Sequence, residues 1–257
     1  MSKTGHAFYF VIAVVLMTTL GCSQPKPQTL TIAAAANVQY ALDSLISIFE
    51  QETGTGCEVV VSSSGKLTAQ ISKGAPYDIF LSADMKYPEL LYGEGLLKNK
   101  PVVYARGSLV LWGPSMSDSA DLWQLLSSDE IRKIAIANPK IAPYGIGAME
   151  VLTSMNLLDG VEEKLIYGES IAQTNHFMTS GATGLGFTAK SVVMTPQMRN
   201  VGKWVEVNTA YYTPIDQGMA IINHEGYELP SAQAFYDFMR SSRAQSILNY
   251  FGYQTDF

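Results

Sequence analysis

The chain has 257 residues, 47% of them hydrophobic and 16% charged, with a formal net charge of -6. That much apolar material builds one large or two medium cores, which excludes a disordered or fibrous chain. The acidic balance offers no basic stripe to neutralise a phosphate backbone, so nucleic acid is not an expected partner.

The first elements form a targeting segment. Lys3 gives a positive start, Phe8 to Met17 is an apolar stretch too short for a membrane span, and Thr18-Thr19-Leu20-Gly21-Cys22 follows. Residues 1–21 are therefore expected to be an export signal. Gly21 before Cys22 and Ser23-Gln24-Pro25 after it resemble the bacterial lipoprotein cleavage box, in which the cysteine takes the lipid; Thr19 stands where an aliphatic residue is usual. The alternative is an ordinary signal peptide with an incidental cysteine. With Cys22 lipidated, Cys57 has no disulfide partner within one chain, and it reads as a buried or strand thiol ahead of Val59-Val60-Val61. Residues 22–28, polar with Pro25 and Pro27, suit a short tether, and the fold is expected to begin near Thr29.

From there short β-rich runs alternate with helical patterns, the rhythm of an α/β fold. Leu30-Thr31-Ile32 is the first strand. Val38, Ala41, Leu42, Leu45, Ile48 and Phe49 recur at helical spacing up to Gly54, with Asn37 placed as the N-cap. Glu58 to Ser62 is a strand, Ser64-Gly65 a turn and cap, Leu67 to Ser72 a short helix and Tyr77 to Ser82 a strand. Further on, Leu109 to Trp112 and Ile131 to Ala137 are strands, Pro139 to Tyr144 a loop and Gly145 to Asn156 a helix. Ser170 opens a helix that ends at Gly181. Val205 to Val207 and Met219 to Ile222 are strands, and Ser231 to Tyr250 gives two helices split near Ser241-Ser242. A chain that crosses near 105 and returns near 213 makes two lobes, 29–105 plus 213–257 and 106–212, with a cleft between them.

His176 and His224 lack partners at zinc spacing, and no phosphate loop or dinucleotide fingerprint occurs: Gly181 to Gly186 has the wrong spacing and follows a helix. Ser63-Ser64-Gly65-Lys66 matches the Ser-x-x-Lys of serine acyl-enzymes. Its companion motifs are missing outside the export signal, and that reading stays a minor alternative. What remains is a set of helix starts at Asn37, Ser64, Tyr144 and Ile171, where free N–H groups and the helix dipole bind an anion without a cation. Each also has an ordinary reading: a cap for Asn37 and Ser64, a cleft wall for Tyr144, core for Ile171.

Ser62 to Ile71, then Gly74-Ala75-Pro76-Tyr77-Asp78 and Ser82-Ala83-Asp84, together with Ala34-Ala35-Ala36-Asn37, Asn138-Pro139 to Tyr144-Gly145 and Leu185-Gly186-Phe187, resemble the ligand loops of the molybdate-binding proteins of ABC transporters. The resemblance spans nearly the whole mature chain. It implies a two-lobed periplasmic-binding-protein type II fold with the ligand cleft between the lobes, a monomer that carries molybdate or tungstate to an importer's permease, and neither catalysis nor a cofactor. Molybdenum or tungsten would enter only as the oxyanion. Carried over, Ala36 and Asn37 form the first ligand loop, Asn37 and Ser64 donate from side chain and backbone, and Tyr144 and Ile171 donate backbone N–H groups. Many members add a tyrosine hydroxyl where Ala189 stands here, which keeps sulfate, thiosulfate or another anion open as ligands. Lys66 reads as a solvated lysine in preference to a charge partner.

Overall fold

The computed structural model describes residues 29–224 and 229–255; the expected export signal, Cys22 and the whole tether lie outside them. β1 (Leu30–Ala35) is buried except at Thr31. α1 (Gln39–Thr53) buries Ala41, Leu42, Leu45 and Phe49 and stops where Gly54 turns left-handed at φ 70°. Its N-cap is Val38, not Asn37, and no side chain caps it. β2 (Cys57–Ser62) leads into α2 (Ser64–Ile71), whose N-cap is Ser63, so Ser64 is the first helical residue and not the cap. β3 (Ile79–Leu81) is shorter than the expected strand, α3 (Lys86–Gly93) follows, and β4 (Val102–Gly107) completes this part.

Only Ser108 separates β4 from β5 (Leu109–Gly113). Asp121 caps α4 (Leu122–Ser127) by accepting from the Trp123 and Gln124 N–H groups. β6 (Ile134–Ala137) is followed by α5 (Pro143–Ser154), which begins two residues before the expected start, with Pro143 in the first turn where its missing N–H costs nothing. α6 (Leu158–Val161), β7 (Leu165–Gly168) and α7 (Ile171–Thr179) come next; Ser170 caps α7 by accepting from Gln173. β8 (Leu185–Ala189) is buried throughout, so Leu185-Gly186-Phe187 is strand interior and not a ligand loop. α8 (Lys190–Val193) and β9 (Lys203–Glu206) precede β10 (Ile215–Ile221), α9 (Pro230–Met239) and α10 (Ser242–Tyr250), the last capped by Ser241.

These strands make two mixed five-stranded sheets, ordered β2-β1-β3-β10-β4 and β7-β6-β8-β5-β9. In the first, β1 runs parallel to β2 and β3 while β10 is antiparallel to β3 and β4. The second repeats the plan, with β6 parallel to β7 and β8 and β5 antiparallel to β8 and β9. The result is the two-lobed α/β fold, each lobe with its own core. The first packs Phe49 edge-on against Phe235, centroids 5.1 Å apart, beneath Leu30, Ile32 and Ile79. The second, built on Trp112, Ile134 and Phe187, reaches across to Ala35, Ala36 and Ala83 of the first lobe.

Register brings the carboxyl ends of the parallel strands together. Ala35 pairs with Ser62 and Ala137 with Gly168, so the turns after β1 and β2 are neighbours, as are those after β6 and β7. Ligands of open α/β sheets bind outside such strand ends. The tightest approach there is Gly145, where a Cβ would stand 2.1 Å from the Ala137 carbonyl oxygen and 2.9 Å from the Pro139 nitrogen. Gly145→Ala is therefore expected to destabilise the protein by about 1–3 kcal/mol despite the better helix propensity of alanine. Urea denaturation of the two proteins side by side reads this directly.

Candidate anion-binding site

Ala36, Asn37, Ser64, Tyr144 and Ile171, drawn from both lobes, line one small cavity that is partly open to solvent. All five are buried. Ala35, Ser62, Ser63, Ala83, Ala142 and Pro143 complete its wall. A space this small lies far below the roughly 300–1,000 Å³ of pockets for drug-sized ligands and leaves room only for a small ligand.

Each residue arrives by a local cause. Ala36 extends the sheet by donating its N–H to the Ser62 carbonyl at 2.9 Å, so it brings a wall and no donor. Ser64 accepts the Ala83 N–H on its Oγ at 2.9 Å, which leaves its own hydroxyl proton to point elsewhere. Tyr144 and Ile171 sit in the first turns of α5 and α7, and such N–H groups have no partner four residues back. The positive ends of α2, α5 and α7 thus converge on one volume. No lysine, arginine or histidine is among the described residues that line it.

Behind this wall lies a buried polar network. Gln217 Oε1 accepts from Asn37 Nδ2 at 2.8 Å and from the Tyr104 hydroxyl at 2.9 Å, while its Nε2 donates to the Tyr144 hydroxyl at 3.0 Å. The Tyr253 hydroxyl accepts from Asn37 Nδ2 at 3.0 Å and donates to the Asn37 carbonyl at 2.8 Å, where Ser191 Oγ also donates at 2.7 Å. Both amide hydrogens of Asn37 are spent inside the chain. The side-chain donation expected of Asn37 is therefore redirected, and its main chain is what remains for a ligand. Ala189 ends β8 fully buried and brings no hydroxyl; Ser191, two residues on, donates to the Asn37 carbonyl.

Lys66 pairs with Glu169 of the other lobe and so is neither purely solvated nor turned to Ser63, whose Oγ has no partner. The Ser63–Lys66 dyad of an acyl-enzyme is not assembled. Burial and Glu50 push the Cys57 thiol up to about 12, which keeps it protonated and unreactive. Residue-by-residue reading missed Ser63 and Ala83 as cavity wall; the run Ser62-Ser63-Ser64, which joins β2 to α2, was the local signal for Ser63.

The model of the family described as bacterial extracellular solute-binding protein matches residues 30–254. The molybdate-binding protein ModA of Azotobacter vinelandii is 35% identical over 223 residues, 86% of this chain and 88% of that one. A putative ABC transporter substrate-binding lipoprotein of Bacillus subtilis, YvgL, is 26% identical over 260 residues, 98% of each chain. The solved structure of the Azotobacter vinelandii periplasmic molybdate-binding protein superposes with a TM-score of 0.83 at 34% identity, covering 89% of this chain and all of that one.

Burial raises the phenols of Tyr104, Tyr144 and Tyr253 above their ordinary range, so the folded state keeps them protonated. In the unfolded chain they ionise near about 10. The stability they contribute is full below that value and is lost as pH rises towards their folded values. Unfolding free energy is expected to fall above pH ~10, by up to about 1.4 kcal/mol per pH unit for each such group. Tyr253→Phe should show a shallower slope in urea melts taken between neutral and strongly alkaline pH.

Proposed function

We propose, for a chain that belongs to the bacterial extracellular solute-binding protein family, that the cavity captures molybdate or tungstate and that the protein hands it to an ABC importer. It is a binding protein and not an enzyme. One observation carries the ligand class: three helix starts from two lobes meet in a small space that no lysine, arginine or histidine among the described residues lines. A lining of donors favours a fully deprotonated oxyanion, because a bound hydroxyl would meet another donor in place of an acceptor. Size then separates molybdate and tungstate from sulfate, and the relatives named above as molybdate-binding support the larger anions. The absence of a hydroxyl at Ala189 favours sulfate or thiosulfate as the second reading.

In this reading Asn37, Tyr144 and Ile171 donate from the main chain, Ser64 from main chain and hydroxyl, and Ala36 packs against the anion. The lobes, 29–105 plus 213–257 and 106–212, close over it and open to release it. Support comes from bonds that already cross the cleft: Gly65 N–H to the Ile141 carbonyl at 3.0 Å, the Tyr87 hydroxyl to the Lys140 carbonyl at 3.4 Å, and Lys66 with Glu169.

The protein would work in the periplasm or at the cell surface, as a monomer held by lipid on Cys22. The Bacillus subtilis relative described as a lipoprotein supports the anchor, and no helix among the described residues is long and apolar enough to cross a membrane. Cys22→Ser is expected to move the protein from the membrane to the soluble fraction of expressing cells, as fractionation and blotting would show.

Calorimetric titration with molybdate, tungstate and sulfate tests the ligand, and one variant tests the site. Ser64→Asp keeps an acceptor for the Ala83 N–H but puts a carboxylate beside the dianion. We expect a folded protein by circular dichroism with binding abolished. Wild-type affinity in that variant would sink the assignment.

A further inference from the structure

Ser63 occupies the N-cap of α2 with extended backbone, φ -77° and ψ 151°. A serine there ordinarily turns its Oγ back to accept an N–H from the second or third helical residue. In this chain the second, Gly65, gives its N–H to Ile141 across the cleft at 3.0 Å, and the Ser63 side chain makes no cap bond. Its hydroxyl is buried without a partner in a residue only 3% exposed. Among the described residues Thr183 and Ser231 also carry buried, unpartnered hydroxyls, but only Ser63 lines the anion cavity.

An unpaired buried hydroxyl costs free energy unless something else in the cell supplies its partner. The surroundings of Ser63 narrow what that partner is. Asn37 has turned both amide hydrogens away from the cavity, and neither Ala36 nor Ala189 brings a hydroxyl. The helix dipole behind Ser63 and the free N–H groups around it attract negative charge. We propose that the Ser63 hydroxyl is a direct hydrogen-bond donor to the bound oxyanion, a side-chain donor beside Ser64 that takes over from the one missing at Ala189. This inference rests on the oxyanion reading above. It gives Ser63 a binding role distinct from capping: the hydroxyl is unsatisfied in the ligand-free protein and satisfied by the anion.

The test pairs affinity with ligand-free stability. Ser63→Ala, in the chain from residue 22 with Cys22→Ser, is expected to bind molybdate about tenfold more weakly or worse by calorimetric titration. Its ligand-free Tm should be unchanged or higher, since the substitution removes a hydroxyl that bonds nothing. Ser63→Gly also removes the hydroxyl but keeps a residue favoured at N-caps, and should lose affinity alike. A cap role gives the reverse, a lower ligand-free Tm with unchanged Kd, and would overturn the inference, as would wild-type affinity in both variants. A wild-type protein silent towards molybdate, tungstate and sulfate overturns the oxyanion reading and this inference with it. That result is distinguishable from a wild-type protein that binds beside variants that bind equally well.

Discussion

A small anion buried in a protein of net charge -6 gains nothing from the field of the whole molecule. With no cation among the described residues that line the cavity, neutral donors must hold it, and the densest fixed supply of these is the first turn of a helix. The architecture follows from that requirement. α2, α5 and α7 each start just beyond a parallel strand, so each is aimed by a sheet edge and cannot swing away. One lobe supplies α2 and the other supplies α5 and α7, so the cavity is walled from two sides and its shape depends on the separation of the lobes.

Donors aimed this way are useful only if they stay put, and the buried network behind them keeps them in place. Gln217 sits at a register shift in β10 with no exposed surface, and its amide meets the first-lobe ligand loop through Asn37 and the second lobe through Tyr144. A bulge re-aims a side chain in this manner. Tyr144 is thereby used twice: its main chain opens α5 at the cavity, while its phenol is pinned to β10. Such a network is stable because its members satisfy one another, and the loss of one leaves several buried groups unpaired.

Local pattern revealed the elements that obey local rules. α1 was legible from its apolar spacing and Gly54, α10 from Ser241, and the convergence of several helix starts on one cavity from the recurrence of a strand, a small or polar residue and a helix. Two others were not: β7 has only four residues, and α3 is eight residues long with Pro88 in its first turn. β8 passed for a loop because Gly186 interrupts it, although that glycine is needed where a Cβ would stand 2.5 Å from the Ala135 carbonyl oxygen. Asn37 looked like a cap because its partners lie 180 and 216 residues further along the chain. Contacts of that span leave no trace in a local window.

The longest of those contacts also orders events in time. Tyr253 donates to the Asn37 carbonyl and accepts from its amide, so the segment that follows α10 braces the turn after β1. A polypeptide made or moved amino terminus first carries Asn37 long before Tyr253 follows. Until then the loop lacks its brace, and a partly emerged chain has no finished pocket to compete for anions in the compartment where it is synthesised. The cavity wall at Asn37 is thus completed only when the segment after α10 has joined the fold.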